Sequence, residues 1–124
     1  MRPPLELEAC IQNDFCGATP RYLRECFGKL SVAYRGWRQE RALYQDLPLR
    51  NPRLANRIAA LSSEHARLAS ELDELVATVG HLSEVPDKPL RLRMVALVQD
   101  LRRLEHAEIA LLQSAYWREN GVGD

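Results

Sequence analysis

Three helical rows of this sequence are apolar except for one residue each, and those exceptions are the residues best suited to chemistry. Positions three and four apart lie on one face of a helix. His65 interrupts an aliphatic row, Glu108 is the ionisable member of a second row, and Glu40 is the acid of a third. The rows are Leu54, Ile58, Leu61, His65, Leu68, Leu72, Leu75 and Val79; Leu90, Met94, Leu97, Leu101, Leu104, Glu108, Leu111 and Ala115; and Leu23, Cys26, Leu30, Ala33, Trp37, Glu40, Tyr44 and Leu47. An imidazole and a carboxylate at core-facing positions could bind a metal ion or hold a proton.

His65 and Glu108 are expected to face each other, because a buried carboxylate or imidazole without a partner is costly. Three roles fit such a pair. It could fix the register of two helices as an isolated polar contact in the core, ligate a metal through nitrogen and oxygen, or respond to pH. The residues alone leave all three roles open.

Glu40 faces the core in only one of two registers of its helix. The register one position over would instead turn inward Phe27, Tyr34 and Arg41. Whether Glu40 could join His65 and Glu108 as a metal ligand therefore depends on which register the helix adopts.

The remaining histidines and nucleophiles do not form a recognised site. His106 lies two positions before Glu108, and two residues rotate a helix by about 200°, so His106 should point away from the core. His81 follows Gly80 and is expected at a helix end. The sequence contains no Glu-x-x-His, His-x-x-x-His or His-Glu-x-x-His motif, no evident nucleophile beside a histidine and no glycine-rich phosphate loop. No catalytic or cofactor-binding residue is therefore predicted.

Helix boundaries are marked by capping residues, prolines and glycines. Three N-caps, each with a proline one or two positions later that the first turn tolerates, mark helix starts. They are Thr19, Asn51 and Asp87. The ends are marked by Pro48, by Gly80 as a residue just beyond the helix, and by Asn120–Gly121. The predicted helices span about 20–46, 51–80 and 88–118.

Three helices of similar length joined by short turns must pack as antiparallel neighbours. We therefore predict an all-α, up-down bundle that forms a single domain over residues 20–124. Residues 1–19 lack sustained periodicity and are predicted as an N-terminal arm with one short helical turn from Leu5 to Ile11.

Charge and cysteine usage exclude several classes of partner. Lys plus Arg and Asp plus Glu number 17 each, so no overall field attracts nucleic acid. The basic residues crowded between 21 and 41 are interpreted as a solvated helix face, since no aromatic platform accompanies them.

Three cysteines without a CxxC pair indicate a reducing, cytoplasmic setting. No apolar stretch predicts a signal peptide or a membrane span.

Two runs of residues in the second and third helices carry a family resemblance. They are Ser63-Glu64-His65-Ala66-Arg67-Leu68 with Leu72 and Leu75, and Leu104-Glu105-His106-Ala107-Glu108 with Leu111 to Tyr116 and Gly121 to Asp124. Together they resemble bacterial hemerythrin-like (HHE cation-binding) domains, over residues 60–124. The resemblance implies a helical bundle that holds non-haem iron, often a di-iron pair, between inward-facing histidines and carboxylates. By resemblance, His65 matches a ligand histidine of an inner helix and Glu108 matches the carboxylate of a terminal His-x-x-x-Glu motif.

The sequence departs from that family at the ligands. Leu104 stands where the terminal motif has its histidine, and the chain has three histidines, fewer than a full site uses. The resemblance therefore implies a degenerate metal site, with no cofactor or one non-haem iron, in a non-catalytic binding or scaffold protein. The resemblance implies His65 and Glu108 as metal ligands, and the residue pattern adds Glu40 as a third candidate. Two alternatives stay open: an iron-binding protein that senses or handles oxygen species, with Glu40 or Glu105 as auxiliary ligands, and a plain helical protein–protein interaction module.

Three long helices are one fewer than such domains usually contain. Either the arm at residues 1–19 fills part of the fourth wall, or two chains pack together and bury the open face. A symmetric dimer is the commoner solution, so we predict a homodimer. A further protein partner could engage the arm or the C-terminal Gly-Val-Gly-Asp tail; neither nucleic acid nor a membrane is expected as a partner.

Overall fold

Four α-helices and one 3₁₀ turn make up the described part of the chain. The computed structural model describes residues 5–13, 15, 17–40 and 52–119. The helices are α1 (Leu5–Gln12), α2 (Pro20–Glu40), α3 (Ala55–Gly80) and α4 (Lys88–Glu119), and the 3₁₀ turn Pro52–Leu54 precedes α3. No strand occurs among these residues, which confirms the predicted all-α class. The stretch 41–46 of the first predicted helix lies outside the described residues.

Consecutive long helices run antiparallel. α2 packs on α3, and α3 packs on α4. At the start of α2, the Arg24 guanidinium donates a 3.1 Å hydrogen bond to the carbonyl of Leu82, just beyond the end of α3. Between α3 and α4 the residue numbers of the paired side chains rise on one helix as they fall on the other. These pairs are Arg93–Glu71 and Arg67–Asp100.

Two of the predicted N-caps are present. The Tyr22 N–H donates to Thr19 Oγ1 at 3.1 Å, and the Leu90 N–H donates to Asp87 Oδ1 at 3.0 Å. Each side-chain oxygen satisfies an amide that the first turn of its helix leaves without an intrahelical acceptor. The starts of α2 and α4 are therefore set by local sequence.

The start of α3 and the cap at its end differ from the prediction, although the helix ends at residue 80 as predicted. Asn51 lies outside the described residues, and the α-helix begins at Ala55, after the 3₁₀ turn, without a side-chain cap. Gly80 is the last helical residue and does not have a positive φ, so its predicted role as a left-handed residue beyond the helix is wrong. The His81 N–H instead donates to the Thr78 carbonyl at 3.1 Å. This tighter bond satisfies a terminal carbonyl and makes a left-handed residue unnecessary.

The apolar rows face the core as predicted. In α3 the row is buried from His65 to Val79, and in α4 it is buried from Leu90 to Leu111. In α2 both alternative registers are used, because Trp37 of one row and Phe27 of the other are buried together. A wide buried face is expected for a helix that packs against α1 as well as α3.

The N-terminal segment contributes to the core. α1 confirms the predicted helical turn and extends it to Gln12, and it packs on α2. Leu7 of α1 and Phe15 after it are buried in the same apolar cluster as the long helices. The sequence did not reveal this packing because eight residues span only about two turns of helix, too few to establish a period.

The outward face of α2 carries most of its basic residues, although Val32 on the same helix is also exposed. Basic side chains of α2 are exposed, as predicted for a solvated face. They are Arg21, Arg24, Lys29 and Arg35. None of the described helices combines the length and the apolar composition that a membrane span requires.

Candidate functional site

The two interruptions of the apolar rows meet in the core. The antiparallel packing of α3 and α4 brings His65 Nε2 to 3.4 Å from Glu108 Oε2, and the two side chains are 2% and 3% exposed. The predicted contact between these residues is therefore present. Both the basic group and the acidic group of this contact are buried in the apolar core of the bundle.

Tyr34 of α2 completes this contact from the third long helix. Its hydroxyl donates a 2.8 Å hydrogen bond to the backbone carbonyl of His65. The same oxygen lies 3.1 Å from His65 Nδ1. Because a tyrosine hydroxyl has one proton, and the carbonyl takes it, Nδ1 must carry a proton and donate to the hydroxyl oxygen. The hydrogen-bond network thus assigns the tautomer of the ring.

This assignment determines which ring nitrogen meets Glu108. With Nδ1 bonded to Tyr34, Nε2 is the nitrogen that lies 3.4 Å from Glu108 Oε2, within ion-pair distance. The proximity of a basic and an acidic group limits the cost of burying each of them.

Aromatic rings form the wall of the site on the α2 side. The ring centroids of Trp37 and His65 are 4.5 Å apart at an angle of 59°, and the Tyr34 and Trp37 rings meet edge to face at 5.7 Å. This packing holds the imidazole in one orientation and keeps water from it. His65 itself is 1% exposed, so a dissolved substrate would reach it only after the helices separate.

The described donors do not complete a metal site. The side chain of Glu40, the predicted third ligand, lies outside the described residues, and Glu105 is half-buried. His81 and His106 are exposed, as predicted. Over residues 5–13, 15, 17–40 and 52–119, no group of three or more His, Cys, Asp or Glu side chains could hold a metal ion. His65 and Glu108 thus supply two donors, fewer than the three protein ligands usual in a catalytic zinc site and the four usual in a structural one.

Tyr34 is the member of the site that sequence reasoning missed. It entered only as part of the alternative register of α2, as a packing residue. A phenol in a buried row is a signal in its own right, because a buried hydroxyl needs a hydrogen-bond partner. The identity of that partner depends on the helix opposite, which the sequence of α2 does not reveal.

Surface ion pairs tie the two helices that carry His65 and Glu108. Arg67 on α3 bonds both Glu64 and Asp100, the second at 2.9 Å across to α4. The hydrogen bond from Arg67 is the main reason that the pKa of Glu64 is lowered below its ordinary value, and the bonds to Glu64 and Asp100 raise the pKa of Arg67. The exposed pairs and the buried pair therefore favour the same register of α3 on α4.

Comparison of the chain with protein-family models, with curated proteins and with solved structures finds no match. The resemblance to hemerythrin-like domains therefore remains a hypothesis that rests on the residues themselves.

Proposed function

We propose that this chain is a hemerythrin-like helical bundle with a degenerate metal site, acting as a non-catalytic binding or scaffold protein. The observation that carries the proposal is the buried contact of His65 with Glu108 and Tyr34. The two residues that resemble family ligands stand at core positions, and their buried polar atoms are engaged with each other and with a tyrosine. Such a contact has a structural role that requires no metal ion.

That role is to fix how the helices fit together. Buried polar contacts are known to specify register in helical assemblies, because a shifted register would leave a charge or a donor without its partner. Here a one-turn slip of α4 would place Leu104 or Leu111 opposite His65 in place of Glu108. The bundle would then hold its surfaces in one arrangement, as a scaffold requires.

Elemental analysis before and after anaerobic loading with Fe(II), together with an absorption spectrum in air, tests this proposal. We expect the loaded protein to hold no near-stoichiometric iron and to keep the melting temperature of the unloaded protein. His65→Ala and Glu108→Ala should then leave the metal content unchanged, and His106→Ala is the matched control on an exposed histidine of α4. Near-stoichiometric iron that both core variants abolish and the control retains would overturn the proposal.

A non-haem iron-binding protein is the second candidate, and the tautomer of His65 favours it. Ligand histidines usually donate one ring N–H to an outer partner while the other nitrogen faces the metal, and Tyr34 is such a partner here. His65 and Glu108 would then bind the ion, with Glu40 or Glu105 as auxiliaries, and iron would supply the chemistry of oxygen species. A hundredfold excess of Fe(II) over Kd would stabilise that fold by roughly 2.7 kcal/mol.

The proposal includes a homodimer. α1 supports the idea that the fourth wall needs completion, since it has eight residues against the 32 of α4. Size-exclusion chromatography with light scattering should detect the dimer, and a monomer at high micromolar concentration would contradict it.

A further inference from the structure

We propose that the outward face of α2 is a docking surface for an acidic helix of a partner protein. The inference rests on the proposed function as a binding or scaffold protein, and it names the surface and the chemistry of the partner. The surface, which we call the α2 face, consists of exposed and half-buried residues of α2. They are Arg21, Arg24, Glu25, Gly28, Lys29, Val32, Arg35 and Gly36.

The α2 face has an excess of positive charge. Over residues 20–37, the part of α2 whose side chains the structure describes, four exposed basic residues stand against one exposed acid, Glu25. Glu25 lies 3.7 Å from Arg21 on the same helix and offsets one of these charges. Arg24 donates to a neutral carbonyl, that of Leu82, and keeps its charge. Because the whole chain has equal numbers of acidic and basic residues, the excess is local to α2 and favours an acidic partner.

An apolar side chain lies in the middle of these charges. Val32 is 69% exposed, more than any other large hydrophobic residue of the described helices. Lys29 and Arg35 lie three positions before and after it on the same helix. An apolar contact surrounded by a charged rim is the usual layout of a protein interface. An amphipathic helix with acidic residues beside its apolar row has the matching pattern.

Two glycines of the α2 face have no explanation within the described part of the chain. Gly28 and Gly36 lie about one turn before and one turn after Val32, and a Cβ at either would meet nothing within 4 Å. Neither has a positive φ, so alanine would fit both positions and would favour the helix. Glycine at such positions lets the backbone of another segment approach closely. The α2 face therefore has a shallow depression around Val32, with basic side chains beside it.

The length of the depression sets the design of the probe. From Gly28 to Gly36 it measures about 12 Å along the helix, enough for about two turns of a second helix. The probe is a fluorescent synthetic peptide of about 20 residues, with two leucines one turn apart among glutamates and alanines. Its control peptide has lysine in place of every glutamate. Fluorescence anisotropy at about 0.15 M salt should show saturable binding of the glutamate peptide and none of the lysine peptide.

Reversal of one charge tests the rim of the α2 face. We expect Arg35→Glu to weaken binding of the glutamate peptide at least about tenfold, because it replaces an attraction with a repulsion. Arg57→Glu is the matched control on an exposed arginine of α3 and should leave binding unchanged.

The two glycines test close approach. The double variant Gly28→Ala/Gly36→Ala should raise the melting temperature of the free chain, since alanine favours a helix. It should also weaken peptide binding at least about fivefold, because the added methyl groups hold the second backbone away. A merely structural role of the glycines would not move stability and binding in opposite directions. Gly80→Ala, at an exposed position where a Cβ also meets nothing within 4 Å, is the control and should leave binding unchanged.

Several results would overturn docking of an acidic helix. They are the absence of saturable binding up to about 1 mM peptide, equal losses in Arg35→Glu and Arg57→Glu, native affinity in the glycine double variant, and tighter binding to phosphatidylserine vesicles or duplex DNA. The proposed scaffold function would stand in each case, because it is tested by the iron content of the His65 and Glu108 variants. Near-stoichiometric iron would overturn that function whatever the peptide titration shows.

Discussion

At the scale of single residues, His65 is held by partners from two other helices. Tyr34 of α2 bonds its ring and its carbonyl, and Glu108 of α4 faces the other ring nitrogen. The apolar row of α3 predicts that leucine would fit at position 65 as well as its neighbours do. The contacts predict otherwise, because replacing His65 removes a polar partner of both Tyr34 and Glu108.

Replacing His65 alone and together with Glu108 should give opposite results. His65→Leu leaves the buried carboxyl group opposite an aliphatic side chain, so we expect the free energy of unfolding to fall by about 3 kcal/mol. The double variant His65→Leu/Glu108→Leu should recover most of that loss, since removing both members of a buried pair is often neutral or stabilising. Urea denaturation of the single and double variants measures the coupling. Losses that simply add would contradict a paired contact.

Tyr34→Phe should loosen the imidazole without removing it. The variant keeps the aromatic packing and loses the hydroxyl that bonds the His65 carbonyl and Nδ1. We expect a loss of about 1–2 kcal/mol in the free energy of unfolding, as for removal of a buried hydrogen-bonding group. Nitrogen-15 spectra should then show the proton of the imidazole distributed over both ring nitrogens. A single unchanged tautomer would mean that Tyr34 does not determine it.

At the scale of the elements, α3 and α4 are joined by the buried pair and by two exposed ion-pair networks. Arg67 connects Glu64 and Asp100, and Arg93 connects Glu71 and Glu74. Exposed pairs contribute little individually, because water and salt screen them. Their consistent spacing along the two helices nevertheless favours the register that the buried pair specifies.

The network around Glu64 should make stability depend on pH at the acid end. The hydrogen bond from Arg67 lowers the pKa of Glu64 below the ordinary value of 4.5. A carboxylate whose pKa is lower in the folded state contributes stability above 4.5, and the contribution disappears as pH falls through the folded value. The difference in unfolding free energy between the native chain and Glu64→Gln should therefore be constant at neutral pH and shrink below 4.5. Glu84→Gln, at an exposed position between the helices, is the control for a carboxylate outside these pairs.

At the scale of the whole molecule, the N-terminal helix and the three long helices share one apolar cluster. Leu7 of α1 is buried to the same degree as Leu72 in the middle of α3, at 0% and 2% exposure. A peripheral arm would unfold separately from the bundle. A helix that completes the core should unfold with it.

Truncation of Leu7 tests whether α1 belongs to the cooperative unit. We expect Leu7→Ala to lower the free energy of unfolding by about 2–4 kcal/mol, a range typical of buried leucines, and Leu72→Ala to give a loss of similar size. Tryptophan fluorescence and far-ultraviolet circular dichroism should report coincident transitions in both variants. A Leu7→Ala loss below about 0.5 kcal/mol, as at a surface site, would mean that α1 lies outside the cooperative core.

The sequence by itself determined the helices, two of their caps and the inward direction of His65 and Glu108. These features follow from the three-four spacing and from capping residues, which act within a few positions along the chain. The tertiary structure decided what the local pattern does not contain. Tyr34 lies 31 positions from His65, and the packing of α1 depends on a groove built by other helices. Contacts between helices depend on register and on which faces meet, and helical periodicity carries no information about either.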